Sequence, residues 1–247
     1  MLRTIINRLA LGLITLVAVS MLIFAATEVL PGDVASAVLG QGATAETLAV
    51  YRKELGLDRP ATTRYIEWFS GAIQGDLGVS MTNNRKISEE VAPRFSNTMF
   101  LAIFTAAIAV PLAVGLGILS AINEGKWIDR MSNVLSLMTI SVPEFFIAYV
   151  LILVFAVQLD WLPSLSTVFD GMSLGERLYV TALPAVTLTM LVTAHMLRMT
   201  RASVLSVMSQ PYIEMAFLKG APRKRVIVTH ALPNAAAPII TVIALNM

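Results

Sequence analysis

The sequence predicts an all-α integral membrane protein, a polytopic helical bundle. Two observations carry this. Of the 247 residues, 56% are hydrophobic and 14% charged, where a soluble domain carries about a quarter charged residues. The apolar residues also collect in long runs that match the roughly 20 residues a helix needs to cross a bilayer. A third observation sets orientation. The short segments between runs alternate in Lys/Arg content, and the positive-inside rule places the basic ones in the cytoplasm.

The same composition narrows the function. The net charge of +2 is too small to point to nucleic acid. With no cysteine, neither disulfides nor thiolate metal sites can form. Two histidines, His195 and His230, are too few for a histidine-built metal site.

Leu9 to Val29 is the first apolar run, preceded by Arg3 and Arg8. A cleaved signal peptide would have an apolar region of only about 7–15 residues. The run is longer and more follow, so it reads as a signal-anchor helix with a cytoplasmic N-terminus. Pro31-Gly32-Asp33 stops it. Residues 31–97 form a polar external segment, and residues 1–97 together make the first domain. Two short amphipathic helices are expected there. Leu48, Tyr51 and Leu55 share a face of the first, with Gly56 suited to its C-terminal cap. Tyr65, Phe69 and Ile73, with Trp68 beside them, line the second. That aromatic face suits either the lipid headgroup level or packing on neighbouring helices. Glu28, Pro31 and Asp33 stand at the outer mouth of the first span, where they end the helix or form a receiving surface.

Residues 98–247 form the second domain. Spans are expected over 98–122, 134–157 and 183–205. Pro111, Gly115 and Gly117 interrupt the first of these, as membrane helices tolerate. The 123–133 loop is basic and the 158–182 loop has Arg177 as its only base. A last apolar run starts at Pro233 and reaches Met247, shorter than a full span. It is expected to be a fifth span cut short.

Between the fourth and last runs lies a basic segment, 206–232. Ser209 can cap a helix there, and Pro211 suits a first turn. Glu214 falls where a helix dipole favours an anion and Lys219 where it favours a cation. Gly220 is the expected left-handed terminator. Pro222 can open a second short helix carrying Arg223, Lys224 and Arg225. A helix of about nine residues is marginal alone in water, so it needs a docking surface. Met215, Ala216, Phe217 and Leu218 supply an apolar one, facing either a separate partner or the chain's own spans.

This segment resembles the EAA loop of ABC-importer permeases, whose pattern is Glu-Ala-Ala, three residues, Gly, and a Leu-Pro further on. Glu214, Ala216, Gly220, Leu232 and Pro233 fit, while Met215 stands in place of the second alanine. Lys219-Gly220 and His230-Ala231-Leu232-Pro233-Asn234 resemble the dipeptide/oligopeptide/nickel permeases. So do Pro31-Gly32-Asp33, the run from Glu54 to Pro60, and the run from Gly75 to Gly78, which are similar to the family's first permease subunit. The resemblance implies the type I importer permease fold in a bacterial or archaeal plasma membrane. It also implies a second, homologous permease, two cytoplasmic ATPases docked on the EAA loops, and an external solute-binding protein. Glu214 would be the polar contact to the ATPase and Gly220 the turn that lets the loop fit its groove. Dipeptides, oligopeptides, glutathione, nickel chelates and some sugars are all solutes such a permease could carry.

The chain has no Gly-x-x-x-x-Gly-Lys-Ser/Thr phosphate loop. No Ser-His-Asp or Cys-His set can be assembled from its membrane-embedded residues. The expectation is a non-catalytic subunit with no cofactor and no metal, with hydrolysis on another chain. Glu144, inside the third expected span, is a functional candidate by default. It lines the solute path, or else it sits in a wet interface or pairs with a neighbouring helix. His195 is expected to be a hydrogen-bonded packing residue, and Arg198 and Arg201 to snorkel to the cytoplasmic surface. Two other classes compete. An ion-coupled secondary transporter would want paired ionisable groups at the midplane and related repeats. A non-transporting scaffold would use the 206–232 loop for contacts alone.

Overall fold

A computed structural model describes residues 2–29, 34–40, 43–81, 83–169 and 171–246. It divides into two compact units, Met1–Phe95 and Ser96–Met247. The Pro31-Gly32-Asp33 stop lies outside the described residues.

In the first unit, α1 (Leu2–Val29) is an unbroken apolar helix. Three shorter helices follow: α2 (Val34–Leu39), α3 (Ala45–Glu54) and α4 (Ala61–Ile73). Thr44 caps α3 by accepting a hydrogen bond from the Thr47 N–H, and Gly56 takes the left-handed turn beyond it, at φ 66°. The aromatic face of α4 turns on α1. Tyr65 lies 5.3 Å from Phe24, ring centre to ring centre, and stacks on Phe69 at 5.8 Å. The Tyr65 and Ser20 hydroxyls are hydrogen-bonded at 2.7 Å. Arg64 reaches back to Glu28 at 2.6 Å. Glu28 is therefore an ion-pair partner rather than a bare helix end. Beside this pair lies an open hollow of about 850 Å³, flanked by Trp68 and Glu67.

The long helix α5 (Ile87–Ile122) leads into the second unit. There α6 (Trp127–Ser141) and α7 (Glu144–Leu151) follow, α7 running on as a π-helical stretch, Ile152–Gln158. The expected 134–157 helix is thus in two pieces, bent by 98°. Pro143 is the cause. Proline disfavours the helical region for the residue before it, and Val142 is extended, at φ −96° and ψ 130°. A short helix, α8 (Leu174–Val180), lies in the expected 158–182 loop, held by a Ser173/Glu176 capping box. The Ser173 N–H and hydroxyl hold the Glu176 carboxyl below the usual carboxylate range, so the box is intact at neutral pH and opens only as pH falls through that lowered value. Arg177 of α8 donates to Asn97 at 2.9 Å and sits 4.4 Å over the Phe100 ring.

The central helix is α9 (Ala182–Met208). It packs against α6, α7 and the last helix, α12 (Leu232–Asn246). Between them come α10 (Pro211–Leu218) and α11 (Arg223–Arg225), the latter joined to α12 by a second π-helical stretch, Val226–Ala231. The last apolar helix therefore begins ten residues before Pro233, at Arg223, and the 206–232 segment is mostly helical. Pro233 would crowd the carbonyl four residues back. That carbonyl, of Thr229, lies in the wider π turn, which gives the ring room.

Small residues line the face of α5 toward α9. Ala109, Ala113, Gly117 and Ala121 recur every fourth residue, and all four are buried or in contact with that face. At Gly117 the approach is closest: a Cβ there would stand 2.7 Å from the Thr200 Cβ and 2.9 Å from the Leu197 carbonyl oxygen. Among the described residues four helices are long and apolar enough to cross a membrane, or five if the bent α6–α7 pair is one span.

Candidate functional site

The structure of α10 begins at Pro211. Its fixed φ suits the first helical position, and Gln210, not Ser209, is the residue that precedes the helix, extended at φ −77° and ψ 144°. Ser209 instead closes α9, its hydroxyl on the Ser206 carbonyl. The helix ends in a Schellman motif. The Gly220 N–H reaches the Phe217 carbonyl at 2.9 Å, and the Ala221 N–H reaches the Ala216 carbonyl at 3.2 Å. Gly220 sits at φ 79°, a conformation a side chain resists.

The eight residues of α10 divide between two faces. Ile213 is fully buried against Val226 and Ala231 of the π-helical stretch, with Val207 and Met208 from the end of α9 around it. Ala216 and Ala221 close the same cluster, the apolar contact that accompanies a Schellman ending. On the other face Met215 is 53% and Leu218 75% exposed, with Tyr212 and Phe217 also open. Part of the apolar surface of this helix thus packs on the chain itself, and part is uncovered. Glu214 and Lys219 are exposed. Among the described residues neither has an ion-pair or hydrogen-bond partner. Leu232 packs against the buried Val204, Ala235 and Ile239, while Pro233 is exposed.

Between α5, α6 and α9 lies a polar knot that periodicity did not reveal. Asp129, 5% exposed, accepts from four sources. Arg201 of α9 grips it bidentately, Nε to Oδ1 at 2.6 Å and Nη2 to Oδ2 at 2.9 Å. The Ser120 hydroxyl of α5 donates at 2.6 Å, the Gly125 N–H at 2.9 Å, and the Asn133 amide at 2.8 Å. Arg201 therefore does not snorkel; it is folded inward onto a carboxylate. The signal was an acid, Asp129, in a basic loop, but its partner is 72 positions away and no local pattern pairs them. Close by, Arg223 donates to the Ile122 carbonyl at 2.7 Å, filling one of the bonds a helix C-terminus leaves open.

Arg198 and His195 are exposed on α9, so the expected hydrogen-bonded packing role of His195 is not seen. Its ring carries no hydrogen bond among the described residues. Glu144 is exposed at the first position of α7, just past the bend, again without a partner among the described residues. A helix N-terminus is where a carboxylate is best tolerated. No group of three or more His, Cys, Asp or Glu side chains stands together among the described residues.

Comparison with known proteins decides the class. Residues 113–247 match the binding-protein-dependent transport system inner membrane component family, and residues 1–102 match its N-terminal membrane component domain. The chain belongs to this family. It is a permease of ABC importers of the peptide/nickel group. Over all 247 residues this permease is 39% identical to the glutathione transport system permease protein GsiC of Escherichia coli O6:H1 (strain CFT073), covering 78% of that protein. It is 38% identical, with the same coverage, to the proteins of that name from Escherichia coli strain K12 and Shigella dysenteriae serotype 1. As a multi-pass importer permease it works with ATPase and binding-protein partners. The permease is not itself the catalytic component.

Proposed function

We propose that this permease pairs with a second, similar permease in the plasma membrane and takes its driving force through α10. In this reading the α10 end of the bundle faces the cytoplasm, as does the N-terminus, and residues 31–97 face outward. Two ATPases, on which all hydrolysis occurs, dock one on each permease. Glu214, Ala216, Gly220, Leu232 and Pro233 form the coupling set. Glu214 meets the ATPase, Gly220 shapes the turn, Ala216 and Leu232 seat the loop on its own bundle, and Pro233 stands exposed beside them. The observation that carries this is the divided surface of α10. Ile213 fixes one face to the transmembrane helices, and Met215, Phe217 and Leu218 stay open on the other. A helix built in that way transmits a push from outside to the spans.

The solute is a peptide-type molecule, and the glutathione transport for which the relatives are named supports glutathione among the dipeptides, oligopeptides and nickel chelates. Glu144, uncovered beside the bend, lines the path. Alternating access follows: ATP closes the ATPase pair, α10 moves with it, and the bundle opens outward.

Reconstitution with the ATPases, second permease and binding protein tests the reading. Uptake should need ATP hydrolysis, and uptake that persists without it overturns the proposal. Glu214→Lys combined with Gly220→Trp should leave the spans inserted but abolish solute-stimulated hydrolysis. Normal coupling in that double variant removes the role given to α10.

A further inference from the structure

We infer that Asp129 and Arg201 are positioning residues for transport: their ion pair locks the register of α9 on α5 and α6, so that displacement of α10 moves three helices as one block. The inference rests on the docking role proposed for α10 and extends it into the bundle.

A chain of contacts builds the block. Ile213 ties α10 to Val207 and Met208 at the end of α9. Six residues back from Val207, a rise of about 9 Å along a helix, Arg201 holds Asp129 of α6 with two hydrogen bonds. The same carboxylate takes the Ser120 hydroxyl of α5 and the Gly125 N–H of the turn between α5 and α6. Arg223 joins the segment after α10 to the last carbonyl of α5. Where Gly117 meets Thr200 the helices are too close for any added carbon, so α5 and α9 cannot rotate against each other there without a clash.

A buried ion pair is a poor source of stability, since apolar residues of similar volume often serve as well or better. What it supplies is discrimination. A slide of α9 by one turn along α6 would break the two-pronged hold on Asp129, bringing Arg198 or Leu205 to the carboxylate and Arg201 to Asn133 or to the turn before α6. An apolar pair would tolerate the slide. The block also ends at a definite place: α6 stops at Ser141, and the 98° bend to α7 begins. A displacement delivered to α10 is carried rigidly to that break and there becomes a change of angle.

The discriminating variant is Asp129→Leu with Arg201→Met in the reconstituted importer, with solute uptake and ATP hydrolysis measured together. The pair should assemble and hydrolyse ATP, while solute moved per ATP falls by about tenfold, within the range that substitutions along coupling networks reach. Arg201→Lys, which keeps the charge and loses the fork, should give an intermediate ratio and decides the matter if the apolar pair fails to insert. An unchanged ratio in whichever variant inserts overturns the register role, even if both lose thermal stability. Failure of the docking reading looks different: there the parent protein itself shows no ATP-dependent uptake, or Glu214→Lys with Gly220→Trp couples normally.

Discussion

Ile213, Gly220 and Arg201 lie within 20 positions of one another and differ in how far the sequence discloses them. Gly220 was legible. A glycine one residue past a cationic helix end reads as a left-handed terminator, and the backbone is left-handed there. Replacing it with Ala should cost about 1 kcal/mol, seen as a lowered midpoint in thermal unfolding. Ile213 was not singled out, because the apolar run Met215–Leu218 follows it closely and periodicity over two turns cannot say which residue faces inward. Ile213→Ala should cost about 2–4 kcal/mol by leaving a cavity under α10. Amide exchange along Tyr212–Leu218 should rise while exchange in α9 stays slow. Arg201 was misread, since snorkelling is the default for an arginine near a span end and its partner lies on another helix. At Gly117 a β-carbon meets backbone as well as side chain. Gly117→Ala should therefore destabilise the bundle by about 1–3 kcal/mol, again read as a loss of thermal midpoint.

At the scale of elements, length and hydropathy located the spans, but proline set their true bounds. Pro143 splits the third expected helix: proline disfavours helical backbone at the residue before it, and Val142 is extended. Pro233, which looked like the start of the last span, lies inside a helix already under way from Arg223. A proline can open a helix or be accommodated within one, and its position alone does not say which. The π-helical stretch that accommodates Pro233 depends on backbone geometry that sequence spacing does not encode. For α10 the two faces make separate predictions. The protein has no native cysteine, so single-cysteine variants report without background. Leu218→Cys should react readily with a thiol reagent in the isolated chain and become protected when the ATPases bind. Ile213→Cys should react in neither state.

For the whole molecule, all-α spans and the family pattern were readable because apolar runs and the EAA-type spacing are local. The tertiary knot around Asp129 was not, because it joins residues far apart; for the aromatic face of α4 the sequence offered packing on a neighbouring helix as one of two readings, without saying which helix. The alternation of basic loops makes a definite prediction about sidedness. A cysteine at Ser166, in the loop before α8, should react with a membrane-impermeant reagent applied outside intact cells. A cysteine at Lys219 should react only after the membrane is opened. Labelling of the Lys219 position from outside intact cells would overturn the topology proposed above.

The uncovered side of α10 has a consequence for the life of the subunit before it works. An exposed apolar patch that is meant for a partner also attracts chaperones, proteases and other orphan copies. A permease made in excess of its ATPases displays Met215, Phe217 and Leu218 until it is claimed or destroyed. On the docking proposed above for α10, that same surface would also count the motors, and keep the cell from accumulating permeases that none can drive.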